Sequence, residues 1–246
     1  IKNLSSFARD IVLMKQCKVN PIIIHGGGPM INDALKKWEI DFRFIDGKRV
    51  TDKDAIKIVE MVLSGNLNKT IVSSINSQGG KGVGISGKDA SLVICEKDNP
   101  ELGYVGKPVH INTNLISTLV ENDFIPVISP IGTNEEGETF NINADTMAGT
   151  IASALKADRL LLLTDVSGVK NKNGDKVEKA SLKEITDLIN QNIIKDGMIP
   201  KVKNAINAIK NGVRAVVILD GSIPNACLLE LFTDHGVGTL IREELN

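Results

Sequence analysis

The residues able to do chemistry in this 246-residue chain gather in a few short stretches. The first is Pro21-Ile22-Ile23-Ile24-His25-Gly26-Gly27-Gly28-Pro29-Met30, an apolar run that stops at successive glycines before a proline. Ile22 to Ile24 read as a buried strand, because β-branched residues fill both faces of a covered sheet. Pro29 suits the first position of a helix, where its missing N–H would have had no partner. Glycines between a strand and a helix leave backbone N–H groups uncovered at the positive end of the helix dipole. That is a seat for phosphate or carboxylate. The rival reading is a tight corner needing positive φ, for which one glycine usually suffices.

Arg49 follows an Asp46-Gly47 turn and precedes Thr51-Asp52. It reads either as a solvated edge charge or as a planar fork that grips a small carboxylate. Asn141-Ile142-Asn143-Ala144-Asp145-Thr146 enters a helix of small residues. Asn143 or Asp145 could simply cap that helix; two amides and a carboxylate there could instead hold polar substrate groups and orient a lysine. Lys201 follows Pro200 in the first turn of another helix. A cation there opposes the helix dipole by about 0.3–1 kcal/mol, and a bound anion would reverse the sign. His25 ends a strand and reads as packed rather than catalytic, and the histidines show no HExxH or Ser-His-Asp spacing. Gly82 to Asp89 satisfies both GxGxxG and GxxxxGK, but Asp89 stands where a P-loop needs Ser or Thr. Strand-like sequence follows from Ala90 to Cys95, so a glycine-rich strand or hairpin is expected instead.

The elements that must position these residues alternate. An amphipathic helix runs from Ile1, with Leu4, Phe7, Ala8, Ile11 and Met14 on one stripe and Arg9, Asp10 and Lys15 outside it. Met30 to Trp38 is a helix with Ile31, Ala34, Leu35 and Trp38 inward. Phe42 to Asp52 is a hairpin, followed by helices at 54–63 and 68–76. A helix at 112–120, a strand at 124–128 and a hairpin tip at 133–137 come next. Arg159 to Thr164 and Ala215 to Leu219 are further buried strands, and an Asn173-Gly174 hairpin tip lies between them. Helices run from Ser181 to Ile193, with Leu182, Ile185, Leu188 and Ile189 inward, and from Asn204 to Lys210. Alternating strands and helices imply an α/β layered sheet, in which ligands sit beyond the carboxyl ends of the strands.

The bulk properties exclude several classes. A net charge of −1 and 3% aromatic residues give no footprint for nucleic acid or an anionic membrane surface. The longest aliphatic run, Leu160 to Leu163, is far too short to span a bilayer. Cys17, Cys95 and Cys227 are odd in number and lack a CxxC pair, which fits a reducing, cytoplasmic setting without a disulfide frame or zinc site.

Together, in order, His25-Gly26-Gly27-Gly28-Pro29, Asp46-Gly47-Lys48-Arg49-Val50-Thr51, Gly82 to Gly87, Asn141 to Asp145, Thr164-Asp165-Val166-Ser167-Gly168 and Gly197 to Lys201 resemble the amino acid kinase family. The ordered set spans essentially the whole chain and is far more specific than any one piece. The resemblance implies a three-layer αβα sandwich around a central, mostly parallel sheet. It implies one amino-acid-kinase domain with an acceptor-substrate lobe over 1–158 and a nucleotide lobe over 159–246. It further implies the family's arginine-biosynthesis branch, which moves the γ-phosphoryl group of ATP to the side-chain carboxylate of N-acetyl-L-glutamate, with magnesium bridging the phosphates. On that resemblance Gly27 and Gly28 offer N–H groups to the phosphoryl group and acceptor. Arg49 clamps the α-carboxylate, and Asn141 and Asn143 hold the substrate's polar end. Asp145 orients lysines, and Lys201 neutralises the leaving phosphate. Asp165, Val166, Ser167, Gly168, Val169 and Lys170, with Ile193, Ile194 and Lys195, border the nucleotide. No residue is assigned to a metal, and a homodimer or higher homo-oligomer is implied.

The family also carries a first strand ending in Lys-x-Gly-Gly, which has no counterpart after Ile1; the front of the protein is therefore expected to be missing and this stretch alone to be poorly active. The alternatives are a related kinase of aspartate, glutamate or carrier-linked aminoadipate, a non-catalytic sensor of acetylglutamate or arginine, and, on the GxGxxG string alone, a nicotinamide-dependent oxidoreductase.

Overall fold

The computed structural model describes residues 4–195 and 197–245. Helix α1 (Leu4–Gln16) opens them; Ile1, which the same periodicity includes, lies outside the described residues. Ala8, Ile11 and Met14 are buried as expected, but so is Asp10, which is only 2% exposed. Asp10 therefore does not lie on a solvated face. Burial pushes its carboxyl upward, against the opposing pull of Arg9 and a hydrogen bond from the Cys227 backbone.

The chain divides into two compact units, one formed by Val12–Met147 and the other by the described parts of 1–11 and 148–246. The Val12–Met147 unit begins with β1 (Ile23–Ile24), α2 (Gly28–Lys37) and the two-residue strands β2 (Phe44–Ile45) and β3 (Lys48–Arg49). Asp46 and Gly47 both have positive φ, the signature of a type I′ turn whose twist matches the strands it joins. Asp52 caps α3 (Lys53–Glu60) by accepting from the N–H groups of Asp54 and Ala55. A π-helical segment, Met61–Leu67, then runs directly into α4 (Asn68–Ser77). The periodicity of 54–76 gives no warning of it, and such widened turns gather at functional places. Trp38 is 65% exposed rather than inward, because it is the C-cap residue of α2 and leaves the helical face there.

The remaining elements of this unit are β4 (Gly82–Ser86), β5 (Val93–Lys97), β6 (Gly106–Ile111), α5 (Asn114–Glu121), β7 (Ile125–Ser129), β8 (Ile131–Thr133) and β9 (Thr139–Asn141). Strands β1, β7 and β4 form a parallel sheet, with Ile23 opposite Val127 and Gly82 opposite Ile125. The glycines of 82–84 thus lie inside a strand, as expected, and Gly84 is required there: a Cβ would meet Asn68 Oδ1 at 1.9 Å. Asp89 accepts from the N–H and hydroxyl of Ser86, and Lys88 pairs with Glu60, so neither is arranged as in a P-loop. A second sheet runs β6-β5-β8-β9.

Helix α6 (Ala144–Ala154) leads into β10 (Leu160–Thr164), β11 (Lys179–Ser181), α7 (Leu182–Asn190), α8 (Met198–Lys210), β12 (Val216–Asp220), α9 (Ala226–Phe232) and β13 (Thr239–Arg242). Strand order in the second unit is β10-β12-β13-β11, parallel except for the β12–β13 pair. The central β12 is buried throughout Val216 to Leu219. Strand β10 lies at the edge of this sheet and leaves Leu163 37% exposed, so its four leucines are not the fully covered strand that their sequence suggests. Ser181 and Glu184 close a capping box at the start of α7. Helix α8 begins at Met198, earlier than the expected Asn204, because Pro200 is accommodated within its first turn. The class is α/β with parallel-rich sheets.

Candidate active site

The glycine turn at the end of β1 does not serve to reach positive φ. Gly26, Gly27 and Gly28 are all absent from that region of backbone space. Gly27 is the N-cap of α2, with φ −174°, and no side chain caps the helix. What each glycine supplies is room. A Cβ on Gly27 would meet Leu63 Cδ2 at 2.6 Å and Leu67 Cδ2 at 3.1 Å, both in the π-helical segment. A Cβ on Gly28 would meet nothing within 4 Å. The start of α2 thus has no side-chain cap and open space beside Gly28, which is compatible with the anion seat expected from the sequence. Gly26 lies beside Ala144, at 3.7 Å from a built Cβ, which brings the start of α6 next to the same turn.

His25 is buried, and its contacts fix its tautomer. Nδ1 lies 3.1 Å from the Gly26 carbonyl, an acceptor only, so it carries the proton. Nε2 accepts from the Asn68 amide at 3.2 Å, while that same amide donates to the Val127 carbonyl at 2.9 Å. Burial lowers the pKa of His25, outweighing the Gly26 contact. The ring is thus neutral and satisfied on both sides. In a trans peptide C=O and N–H point oppositely, so holding the Gly26 carbonyl back toward His25 aims the Gly27 N–H away from it.

Arg49 settles its two open readings against the solvated edge: it is 6% exposed. Hairpin register sets Phe44 directly opposite it, and the guanidinium lies over the rings of Phe44 at 4.7 Å and Phe42 at 5.1 Å. Nη2 donates to Asn32 Oδ1 at 2.6 Å and to the Gly28 carbonyl at 3.4 Å. Nη1 is buried with no hydrogen-bond partner, and desolvation lowers the pKa of the group. A buried cation with an idle donor, next to the open end of a helix, is arranged to receive an anion.

Thr51 extends the arrangement. Its hydroxyl donates to the Arg49 carbonyl at 3.0 Å and accepts from Asn141 Nδ2 at 3.2 Å. Gly103 is needed beside it, since a Cβ would approach the Thr51 carbonyl to 2.4 Å. Asn143 takes the capping role open to it, its Oδ1 accepting from the N–H and hydroxyl of Thr146. Asp145 sits in the first turn of α6. Gly27, Gly28, Arg49 and Asn141 are thus linked within one unit. Asn32, Phe42, Phe44, Thr51 and Asn68 escaped the sequence reading. The two-residue turn already implied Phe44 opposite Arg49, and Asn32 lies one helical turn beyond Gly28.

In the other unit, Asp165 to Lys170 leave the carboxyl end of β10. Thr164 pairs with Asp220 at the end of β12, and the Gly221 N–H donates to the Thr164 carbonyl. Asp165, Val166, Ser167 and Lys170 are exposed, whereas Gly168 and Val169 are buried. Gly168 has φ +134° and packs on Thr239, whose hydroxyl accepts from the Val169 N–H at 2.9 Å. Lys195 is exposed and Ile193 half-buried, while Ile194 belongs to the core. Lys201 is half-buried, fourth in α8.

The sequence profile described as the amino acid kinase family matches residues 2–220. The chain is 58% identical to the acetylglutamate kinase of Ruegeria pomeroyi, over 98% of this chain and 84% of that one. It is likewise 58% identical to that of Dinoroseobacter shibae, over 97% and 83%. Among solved structures it resembles smu.665 from Streptococcus mutans UA159, with TM-score 0.82, 32% identity and coverage of 96% of this chain and 91% of that one. N-acetylglutamate synthase from Neisseria gonorrhoeae gives TM-score 0.89 at 24% identity over 100% of this chain and 57% of that one, a likeness of fold. With its glycine turn, buried arginine and parallel-rich sheets, the chain belongs to the amino acid kinase family.

Proposed function

We propose that the chain transfers the γ-phosphoryl group of ATP to the side-chain carboxylate of N-acetyl-L-glutamate, as a step of arginine biosynthesis. A carboxylate oxygen attacks the γ-phosphorus, the bond to the β,γ-bridging oxygen breaks, and an acyl phosphate and ADP result. The supporting observation is Arg49: a buried guanidinium with an unpartnered Nη1 beside the open N-terminus of α2. In this reading it binds the α-carboxylate, while the N–H groups of Gly27 and Gly28 meet the reacting anions. Asn141 and Asn143 hold the acceptor's polar end. Lys201 offsets charge on the leaving phosphate, and Asp145 orients lysines. Asp165 to Lys170 and Ile193 to Lys195 border the nucleotide. Phosphoryl transfer between anions needs mainly alignment and charge cancellation. Magnesium, when bound with the nucleotide, would supply further charge neutralisation, and no side chain is assigned to it. No helix among the described residues is long and apolar enough to cross a membrane; a cytoplasmic homodimer or larger homo-oligomer completes the proposal.

A coupled assay of ADP release with N-acetylglutamate, glutamate, aspartate and aminoadipate, in a chain supplied with the family's Lys-x-Gly-Gly strand, tests it. Release that depends on N-acetylglutamate and greatly exceeds that with the other acceptors is expected. Equal or no release with N-acetylglutamate would overturn the assignment.

A further inference from the structure

The buried guanidinium of Arg49 is held entirely by neutral groups. Asn32 Oδ1 accepts from Nη2 at 2.6 Å, the Gly28 carbonyl accepts from the same nitrogen at 3.4 Å, and the guanidinium carbon lies over the faces of the Phe42 and Phe44 rings. Among the described residues no carboxylate pairs with it. This is an unusual way to keep a buried cation, since a charged partner normally offsets the loss of hydration. A carboxylate at position 32 would make a stronger, charge-assisted contact with Nη2. It would also cancel the positive charge and repel a second carboxylate arriving at Nη1.

We propose that Asn32 is a positioning and specificity residue: a neutral acceptor that fixes the Arg49 fork while leaving its full charge, through Nη1, to the substrate carboxylate. The inference rests on the reading of Arg49 as the carboxylate clamp. Asn32 acts at one remove, and the Phe42 and Phe44 rings give the guanidinium neutral, apolar neighbours.

Aspartate has nearly the shape of asparagine, so charge and shape can be separated. Titration calorimetry with N-acetylglutamate on the wild type, N32A, N32D and R49A, with melting temperatures for each, carries the test. The expected order is wild type tightest, then N32A weaker by about three- to tenfold. N32D should be weaker than N32A by about tenfold or more, with a melting temperature equal to or above that of the wild type. If N32D binds like the wild type while N32A does not, Asn32 supplies only shape and a hydrogen bond, and the inference fails. If both Asn32 variants bind like the wild type while R49A does not, the inference fails and the clamp stands. Wild-type binding by R49A would overturn the clamp itself, and this inference with it.

Discussion

The Gly28 carbonyl accepts from Arg49 Nη2 at 3.4 Å, so the first residue of α2 and the last residue of the Phe44–Arg49 hairpin share one surface. The two donor systems read separately from the sequence, a glycine turn and an arginine fork, are one. The glycines of that turn divide the labour in a way that single methyl groups expose.

Gly28→Ala should leave stability within about 0.5–1 kcal/mol of the wild type, because the added Cβ meets no protein atom within 4 Å. It should nevertheless weaken ligand binding, since that space fronts the helix N-terminus. Gly27→Ala should do the reverse, lowering stability by about 1–3 kcal/mol as Leu63 and Leu67 are displaced. Thermal denaturation with parallel N-acetylglutamate and ATP titrations checks both. Equal losses of stability in the two variants would refute the division.

Much of this was legible beforehand, and the failures have physical causes. Turns announced themselves: Asp46-Gly47 forced a type I′ hairpin, and three glycines before Pro29 marked a helix start with open N–H groups. What escaped depended on tertiary neighbours. Trp38 kept the core spacing but fell at the cap, where periodicity ends. Asp10 is polar by type yet buried. The π-helical widening at Met61–Leu67, whose Leu63 and Leu67 lie against Gly27, has no signature in the apolar spacing. Arg49 could be read either way, because burial and the idle Nη1 are properties of the folded hairpin against α2.

His25 carries a pH signature. Its folded pKa lies below the ordinary 6.5 because burial disfavours the charged ring. As pH falls below 6.5 the unfolded chain takes the proton first, so stability is complete above that value and drains as pH drops toward the folded pKa. Protonation would also set an Nε2–H against the Asn68 amide. Melting curves from pH 7.5 to 5 should show this acid loss in the wild type and less of it in His25→Gln, which should itself be less stable at neutral pH. Parallel curves for the two proteins would contradict a neutral, buried His25.

Asp10 has the opposite sign. Its carboxyl is raised above the ordinary 3.8, so its contribution is fullest at low pH and is lost as pH rises through the folded value. Its Oδ1 has no partner and the residue is 2% exposed. Asp10→Asn keeps an acceptor for the Cys227 N–H without the buried charge. It should stabilise by about 1–2 kcal/mol at pH 8, with a smaller gain at pH 3.5, below the ordinary carboxyl value. Denaturant melts at both values read this directly, and a gain that shrinks with rising pH would be evidence against it.

The most direct test of the central claim is calorimetric titration of N-acetylglutamate into the wild type and Arg49→Lys. Lysine keeps the positive charge but replaces the planar fork, with its free Nη1, by a point donor. Binding by the wild type with at least about tenfold weaker binding by Arg49→Lys is the predicted result. Equal affinity in two equally stable proteins would show that the substrate carboxylate does not meet this guanidinium.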